Sequence, residues 1–148
     1  MSKYAVITGT SQGLGLELVR EGMRRDYIVF ALDRSISEEL RQLSGDNIYI
    51  LNCDISDENQ IEICFKNIVT VTDKIDVLLN CAGIWLDKER RHLDDENFDF
   101  EAVFKQFKVN AAGTLRMIRK FLPLVRKSTE KAIINISSES RKYRKLLP

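Results

Sequence analysis

Thr8-Gly9-Thr10-Ser11-Gln12-Gly13-Leu14-Gly15 lies between Tyr4-Ala5-Val6-Ile7, which is apolar and β-prone, and Leu16-Glu17-Leu18-Val19-Arg20-Glu21, which has the pattern of a helix. A glycine-rich turn between a buried strand and a helix is suited to holding a phosphate. Glycines let the backbone turn sharply and approach the ligand, and the unpaired N–H groups of the first helical turn supply partial positive charge. Gly9 is expected to make the turn, Gly13 to let a pyrophosphate approach, and Gly15 to permit tight helix–strand packing. Gly9, Ser11, Gln12, Gly13, Leu14 and Gly15 together form the candidate cradle. The spacing is Gly-x-x-x-Gly-x-Gly, not the commoner Gly-x-Gly-x-x-Gly. No Gly-Lys-Ser/Thr follows, which disfavours a nucleoside-triphosphate hydrolase.

The rest of the chain supports that reading. At 148 residues it is one domain, residues 1–148, with 44% hydrophobic and 30% charged residues, the balance of an ordinary soluble globule. No apolar run reaches membrane-spanning length and Met1-Ser2-Lys3 leads straight into a strand, so neither a signal peptide nor a membrane role is expected. The net charge is +1, but Arg141, Lys142, Arg144 and Lys145 crowd the final eight residues. Removing these four from the 23 basic residues leaves 19 against 22 acidic ones. A mildly acidic body with a basic, irregular tail over 139–148 makes no case for nucleic acid. Cys53, Cys64 and Cys81 lie far apart in sequence among apolar neighbours and without metal-ligand spacing. They read as buried reduced thiols of a cytoplasmic protein, with no metal site.

Along the chain, strands and helices alternate. Tyr27 to Leu32 forms a second strand ending at Asp33, and Ser35 with Glu38 suggests a capping box for a short helix to about Leu43. Ile48 to Leu51 is a third strand, and Ser56 is expected to cap a helix carrying Ile61, Phe65 and Ile68. Ile75 to Leu79 is a fourth strand. A long helix from about Asp95 to Arg126 carries Phe100, Phe104, Phe107, Ala111, Leu115, Ile118 and Leu122 as one apolar stripe, and Ala132 to Ile136 is a fifth strand. Alternation of this kind predicts an α/β fold, a doubly wound parallel sheet of Rossmann-like type with strand order 3-2-1-4-5.

In such a sheet, ligands bind off the carboxyl ends of the strands. Asp33 stands there, 24 residues beyond Gly9, where a carboxylate can accept hydrogen bonds from both hydroxyls of an adenosine ribose. It would repel a 2′-phosphate, favouring NAD, whereas the neighbouring Arg34 could pair with one, leaving NADP open. The alternative is that Asp33-Arg34 is a solvated turn.

Thr8-Gly9-x-x-x-Gly13-x-Gly15, with Asp54-Ile55, Asn80-Cys81-Ala82-Gly83, Val109-Asn110-Ala111-Ala112-Gly113 and Ile136-Ser137-Ser138 in that order, resembles the motif set of the short-chain dehydrogenase/reductases. The resemblance implies that Asp54 and Ile55 cap the adenine, and that Asn80 ties central strands together. It implies that Ala82 and Gly83 make room for the cofactor ribose. On the same resemblance, Asn110 holds a relay water with its side chain and a loosened main chain, and Ser138 hydrogen-bonds a substrate carbonyl. Each has a plainer reading: Asp54 as a helix-starting residue, Asn110 as a residue facing solvent. Cys81 departs mildly from the family's Asn-Asn-Ala-Gly. Asp87 to Asp95 reads as a charged loop, with His92 on the surface. Trp85 either borders a substrate pocket or is a core aromatic.

The family's acid catalyst is a tyrosine followed four residues later by a lysine. Tyr143 and Lys145 are only two apart and close behind Ser138, and are not assigned that role. The chain thus reads as lacking the family's later strands and helices. The expectation is a short-chain oxidoreductase acting on a small carbonyl or alcohol, impaired by the missing Tyr/Lys, or else a catalytically inactive dinucleotide-binding module or interaction partner. An unpaired fifth strand and an uncovered helix face predict a homo-oligomer.

Overall fold

The computed structural model describes residues 2–43, 45–86 and 96–137. Five strands, β1 (Lys3–Thr8), β2 (Tyr27–Asp33), β3 (Ile48–Asn52), β4 (Val77–Asn80) and β5 (Ala132–Asn135), form one parallel sheet in the order β3-β2-β1-β4-β5. This is the expected doubly wound arrangement. Between the strands run α1 (Gly13–Arg24), α2 (Glu38–Arg41), α3 (Glu58–Val69), α4 (Phe100–Phe107), a π-helical segment (Lys108–Gly113) and α5 (Thr114–Lys127).

Both faces of the sheet are covered, which is why its central strands are apolar without alternation. On one face Ile7, Val29 and Ala31 pack with Leu16 and Val19 of α1 and Leu40 of α2. On the other, Val6, Phe30, Leu32 and Leu78 pack with Ile61 and Ile68 of α3 and with Met117 and Phe121 of α5. At the amino ends of the strands, buried Asp76 accepts a hydrogen bond from the Tyr4 N–H at 2.7 Å and another from the Ser128 hydroxyl, fastening β4 to β1 and to the chain entering β5.

Local details differ from the sequence expectation for identifiable reasons. Ser37, not Ser35, caps α2, accepting from Leu40 N at 3.2 Å, because the helix starts at Glu38; the Ser35 N–H donates to Asp33. Asp57, not Ser56, caps α3, accepting from the N–H groups of Asn59 and Gln60, while the Ser56 N–H goes to Asp54. The fourth strand begins at Val77 rather than Ile75.

The long helix departs most. It begins at Phe100 with Asp99 as its cap, and Lys108–Gly113 is wound as a π-helix between two α-helical stretches. Only the end of the predicted stripe meets the core: Phe100, Phe104, Phe107 and Leu115 are 63–66% exposed, whereas Ile118 is half-buried and packs against the core. The buried face is instead Gly113, Met117, Phe121, Leu124 and Val125. Gly113 is buried because a Cβ there would lie 2.8 Å from Ile55 Cγ1 and 3.1 Å from the Ile55 carbonyl oxygen.

Candidate functional site

The parallel register sets Thr8 beside Leu32 and Asn80, Asn80 beside Asn135, and Asp33 beside Asn52. The chemistry-bearing residues therefore share one edge of the sheet, at the carboxyl ends of its strands.

The glycine turn begins there. Gly9 has φ +72°, and a Cβ on it would lie 2.6 Å from the Ala82 Cα; one on Gly15 would lie 1.9 Å from the Gly9 carbonyl oxygen. These two glycines are packing requirements, letting the start of α1 press against the turn and the turn press against the chain leaving β4. Gly13 differs. Its φ is +55°, and no atom lies within 4 Å of where its Cβ would be, so its open side is free for a ligand. Among the described residues no side chain caps the first turn of α1 and none in that turn is acidic. The helix therefore presents its N–H groups, and the positive end of its dipole, without competition. Thr10 is wholly buried in the turn and its Oγ1 has no partner. A buried hydroxyl in that condition is costly unless a ligand or water satisfies it. An open glycine, uncapped N–H groups and an orphaned hydroxyl fit an anionic pyrophosphate.

Asp33 is fixed at the side of this turn. One carboxylate oxygen accepts from Ser11 N at 3.0 Å and the other from Ser35 N at 3.1 Å. The Ser11 hydroxyl in turn donates to the Ser35 carbonyl and accepts from Ser37 N. Asn52 Nδ2 donates to the Arg34 carbonyl at 2.9 Å, holding the Arg34 backbone. A carboxylate carries about four acceptor positions, so both Asp33 oxygens keep capacity for a diol. Asp54 sits one strand over. Its carboxylate accepts from Ser56 N at 2.8 Å and its own N–H donates to Gln60 Oε1 at 2.8 Å, while Ile55 is buried against Gly113. Asp57, held by backbone N–H groups of Asn59 and Gln60, has its carboxyl pKa lowered.

The chain leaving β4 is pinned from two sides. Thr8 Oγ1 accepts from both Cys81 N and Ala82 N at 3.1 Å. Asn80 Nδ2 donates to Asn135 Oδ1 at 2.8 Å, tying β4 to β5. Asn110, in the π segment, pairs its side chain with Ile84, accepting from Ile84 N at 2.8 Å and donating to Ile84 O at 2.9 Å. Its main-chain carbonyl accepts from the Thr114 hydroxyl at 3.2 Å. A π turn at a functional position is a recurrent way to displace a backbone carbonyl from the regular ladder. Gly83 faces the Asn110 amide, 3.5 Å from where its Cβ would be. Ser138, His92, Tyr143 and Lys145 lie outside the described residues.

Sequence reasoning passed over Thr8, Thr10, Asn135 and Gln106. Thr8 and Asn135 carried a usable signal, a polar residue closing an otherwise apolar strand run. Trp85 is 65% exposed and is not a core aromatic. Cys81 is half-buried, and burial pushes its thiol up. Cys53 and Cys64, eleven residues apart, meet in the core, where the hydrogen bond between them and burial raise the Cys53 thiol well above the ordinary range.

Comparisons with known proteins agree with this geometry. The sequence pattern of the short chain dehydrogenase family matches residues 3–146. VdlC of Helicobacter pylori, named a probable short-chain type dehydrogenase/reductase, is 34% identical over 134 residues, 90% of this chain and 47% of that protein. A fatty acyl-CoA reductase of Acinetobacter baylyi is 30% identical over 92% of this chain and 47% of its own. The crystal structure of a 3-ketoacyl-(acyl-carrier-protein) reductase from Brucella melitensis, complexed with NADH, superposes with a TM-score of 0.78 at 25% identity, covering 92% of this chain and 57% of that one. The chain spans about half the length of the curated relatives it matches. Motif order, strand order and sequence likeness across nearly all of its length place this chain in the short-chain dehydrogenase/reductase family.

Proposed function

We propose that this chain binds a nicotinamide dinucleotide and belongs to an oxidoreductase that interconverts a carbonyl and a secondary alcohol. The observation that carries the reading is the open, uncapped start of α1 beside the fixed carboxylate of Asp33. Gly9, Ser11, Gln12, Gly13, Leu14 and Gly15 hold the pyrophosphate, Asp33 and Arg34 the adenosine ribose, and Asp54 and Ile55 the adenine. Asn80, Ala82 and Gly83 line the path to the second ribose. NAD is the preferred form, because Asp33 meets a 2′-phosphate with like charge, weighed against the neighbouring Arg34, which could pair with one. The NADH carried by the Brucella reductase supports a nicotinamide cofactor.

When bound, the cofactor supplies or accepts the hydride. In this chain Ser138 donates a hydrogen bond to the substrate oxygen, drawing electron density from the carbonyl carbon. The Asn110 carbonyl, in the π turn, and its side chain, which keeps a second N–H and a second acceptor position beyond its bonds to Ile84, hold the water of a proton relay. The 148 residues contain no Tyr-x-x-x-Lys pair. General acid catalysis is worth about a hundred- to ten-thousandfold, so these residues by themselves turn over slowly or not at all. The second reading is a dinucleotide-binding module without activity, which a cofactor-oxidation assay with a panel of carbonyl compounds would separate from the first.

The exposed stripe of α4 and the β5 edge associate with a second copy, and the three unbridged cysteines suit the cytoplasm. Fluorescence titration with NADH and NADPH tests the core of the proposal. NADH should bind more tightly, and Asp33→Ala should erase the difference. A folded sample that binds neither overturns it.

A further inference from the structure

The chain leaving β4 is gripped by two amides from the helical arm opposite. Asn110 pairs with both backbone polar groups of Ile84, and Gln106, four residues earlier and so on the same side of the helix, accepts from Leu86 N at 3.1 Å. Three hydrogen bonds thus hold Ile84–Leu86 as a strap along the helix. The strap starts at the phosphate turn, since Ala82 is the residue a Gly9 Cβ would strike. Three residues of extended chain span about 10 Å, so Trp85 stands within that reach of Ala82. Trp85 is 65% exposed and Leu86 40% exposed. A large aromatic in solvent on a slack loop makes a poor binding surface, because ordering it on contact costs conformational entropy. On a backbone pinned on both sides that cost is already met, and an indole offers wide rigid contact area.

We propose that this strap is the substrate-binding wall, that the Trp85 indole is the surface against which the flat apolar body of a carbonyl substrate lies, and that Gln106 is a positioning residue acting through Leu86. The proposal rests on the dinucleotide reading above. It names the substrate class as a ketone or aldehyde with a planar apolar portion, in preference to a small aliphatic one.

The test uses the whole chain loaded with NAD⁺, which cannot reduce a ketone, so that 1-tetralone and 2-butanone form dead-end complexes without turnover. Trp85 is the only tryptophan in the sequence, so its emission reports on the strap alone. 1-Tetralone should shift that emission saturably. Trp85→Ala should weaken calorimetric binding of 1-tetralone about tenfold and Trp85→Phe much less, with 2-butanone and NAD⁺ unaffected. Gln106→Leu should weaken 1-tetralone about threefold and make Trp85 more accessible to acrylamide, whereas Gln106→Glu, which keeps an acceptor oxygen, should behave as the parent. NAD⁺ affinity equal to the parent's shows that each variant is folded. The proposal is overturned if NAD⁺-loaded protein shows no saturable 1-tetralone binding, if Trp85→Ala binds 1-tetralone unchanged, or if Gln106→Leu leaves acrylamide quenching unchanged. Failure of the parent to bind NAD⁺ overturns the dinucleotide reading and the strap with it. Intact NAD⁺ binding with any of the other failures overturns the strap alone.

Discussion

The two ends of the sheet are built differently. Around β1, β2 and β3 the polar groups at the strand ends, Thr10 Oγ1 apart, are tied together: Ser11, Asp33, Ser35, Ser37 and Asn52 form one hydrogen-bonded cluster beside the glycine turn. Around β4, α4 and β5, Asn110 and Gln106 hold the backbone of the strap and Asn80 holds Asn135, but here large apolar side chains are exposed as well. The first region has its geometry fixed by its own contacts. The second is also held by hydrogen bonds, but it keeps apolar surface exposed.

The sharpest way to break this contrast is Gly15→Ala. The new Cβ would sit on the Gly9 carbonyl oxygen, a backbone atom in the rigid region that cannot swing aside. Overpacking of this kind costs about 3 kcal/mol, and the urea midpoint and dinucleotide affinity should fall together. A midpoint equal to the parent's would show that the turn is slack, and the distinction between the two regions would fail. Gly113→Ala probes the junction between them. Its Cβ meets mainly the Ile55 side chain, which can give a little, so about 2 kcal/mol is expected. In an Ile55→Ala background the same change should cost much less, a coupling that denaturation of the four proteins would measure.

How legible each region was in the sequence follows from the same difference. In the first region one rule acted at a time: apolar runs became buried strands, and the glycines and Asp33 fell at strand ends where the alternation of elements put them. Even the misread caps there moved by only a residue or two, because neighbouring serines and aspartates competed for the same N–H groups. In the second region two assumptions failed together. The stripe from Phe100 to Leu122 was expected to face the core because it was apolar, yet its first half is exposed. The π turn at Lys108–Gly113 also shifts the helical phase between α4 and α5, so one periodicity cannot describe both. Trp85 was hard to place for a related reason: an aromatic beside a strand end reads equally as core or as site, and only its exposure in the folded chain excludes the first.

The apolar surface itself gives a smaller expected effect on folding and a clear one on assembly. Phe100→Ser, Phe104→Ser and Phe107→Ser should each change unfolding free energy by no more than about 0.5 kcal/mol, because the side chains are already in solvent. Combined, they should lower the mass seen by light scattering at high protein concentration toward that of one chain. A large loss of stability without any change in mass would mean that the stripe packs within the chain, and that the second region is as self-contained as the first.

The smallest effect sharpens the picture of the first region. Asp57 caps α3 through backbone N–H groups of Asn59 and Gln60, and these hold its native carboxyl below the ordinary value of 3.8. As pH falls, the unfolded chain takes up this proton before the native one does, so the cap contributes fully above about pH 3.8 and is lost as pH drops through the lowered native value. Asp57→Asn keeps a good capping residue but has no proton to bind. Above that range the parent should therefore be slightly the more stable, because its charged carboxylate also meets the positive end of the α3 dipole. Toward lower pH the gap between the two urea midpoints should close, since the other carboxyls titrate alike in both proteins. A gap that stays constant with pH would mean that the carboxylate is not held by the helix. The rigidity assigned to the first region would then not extend as far as the start of α3.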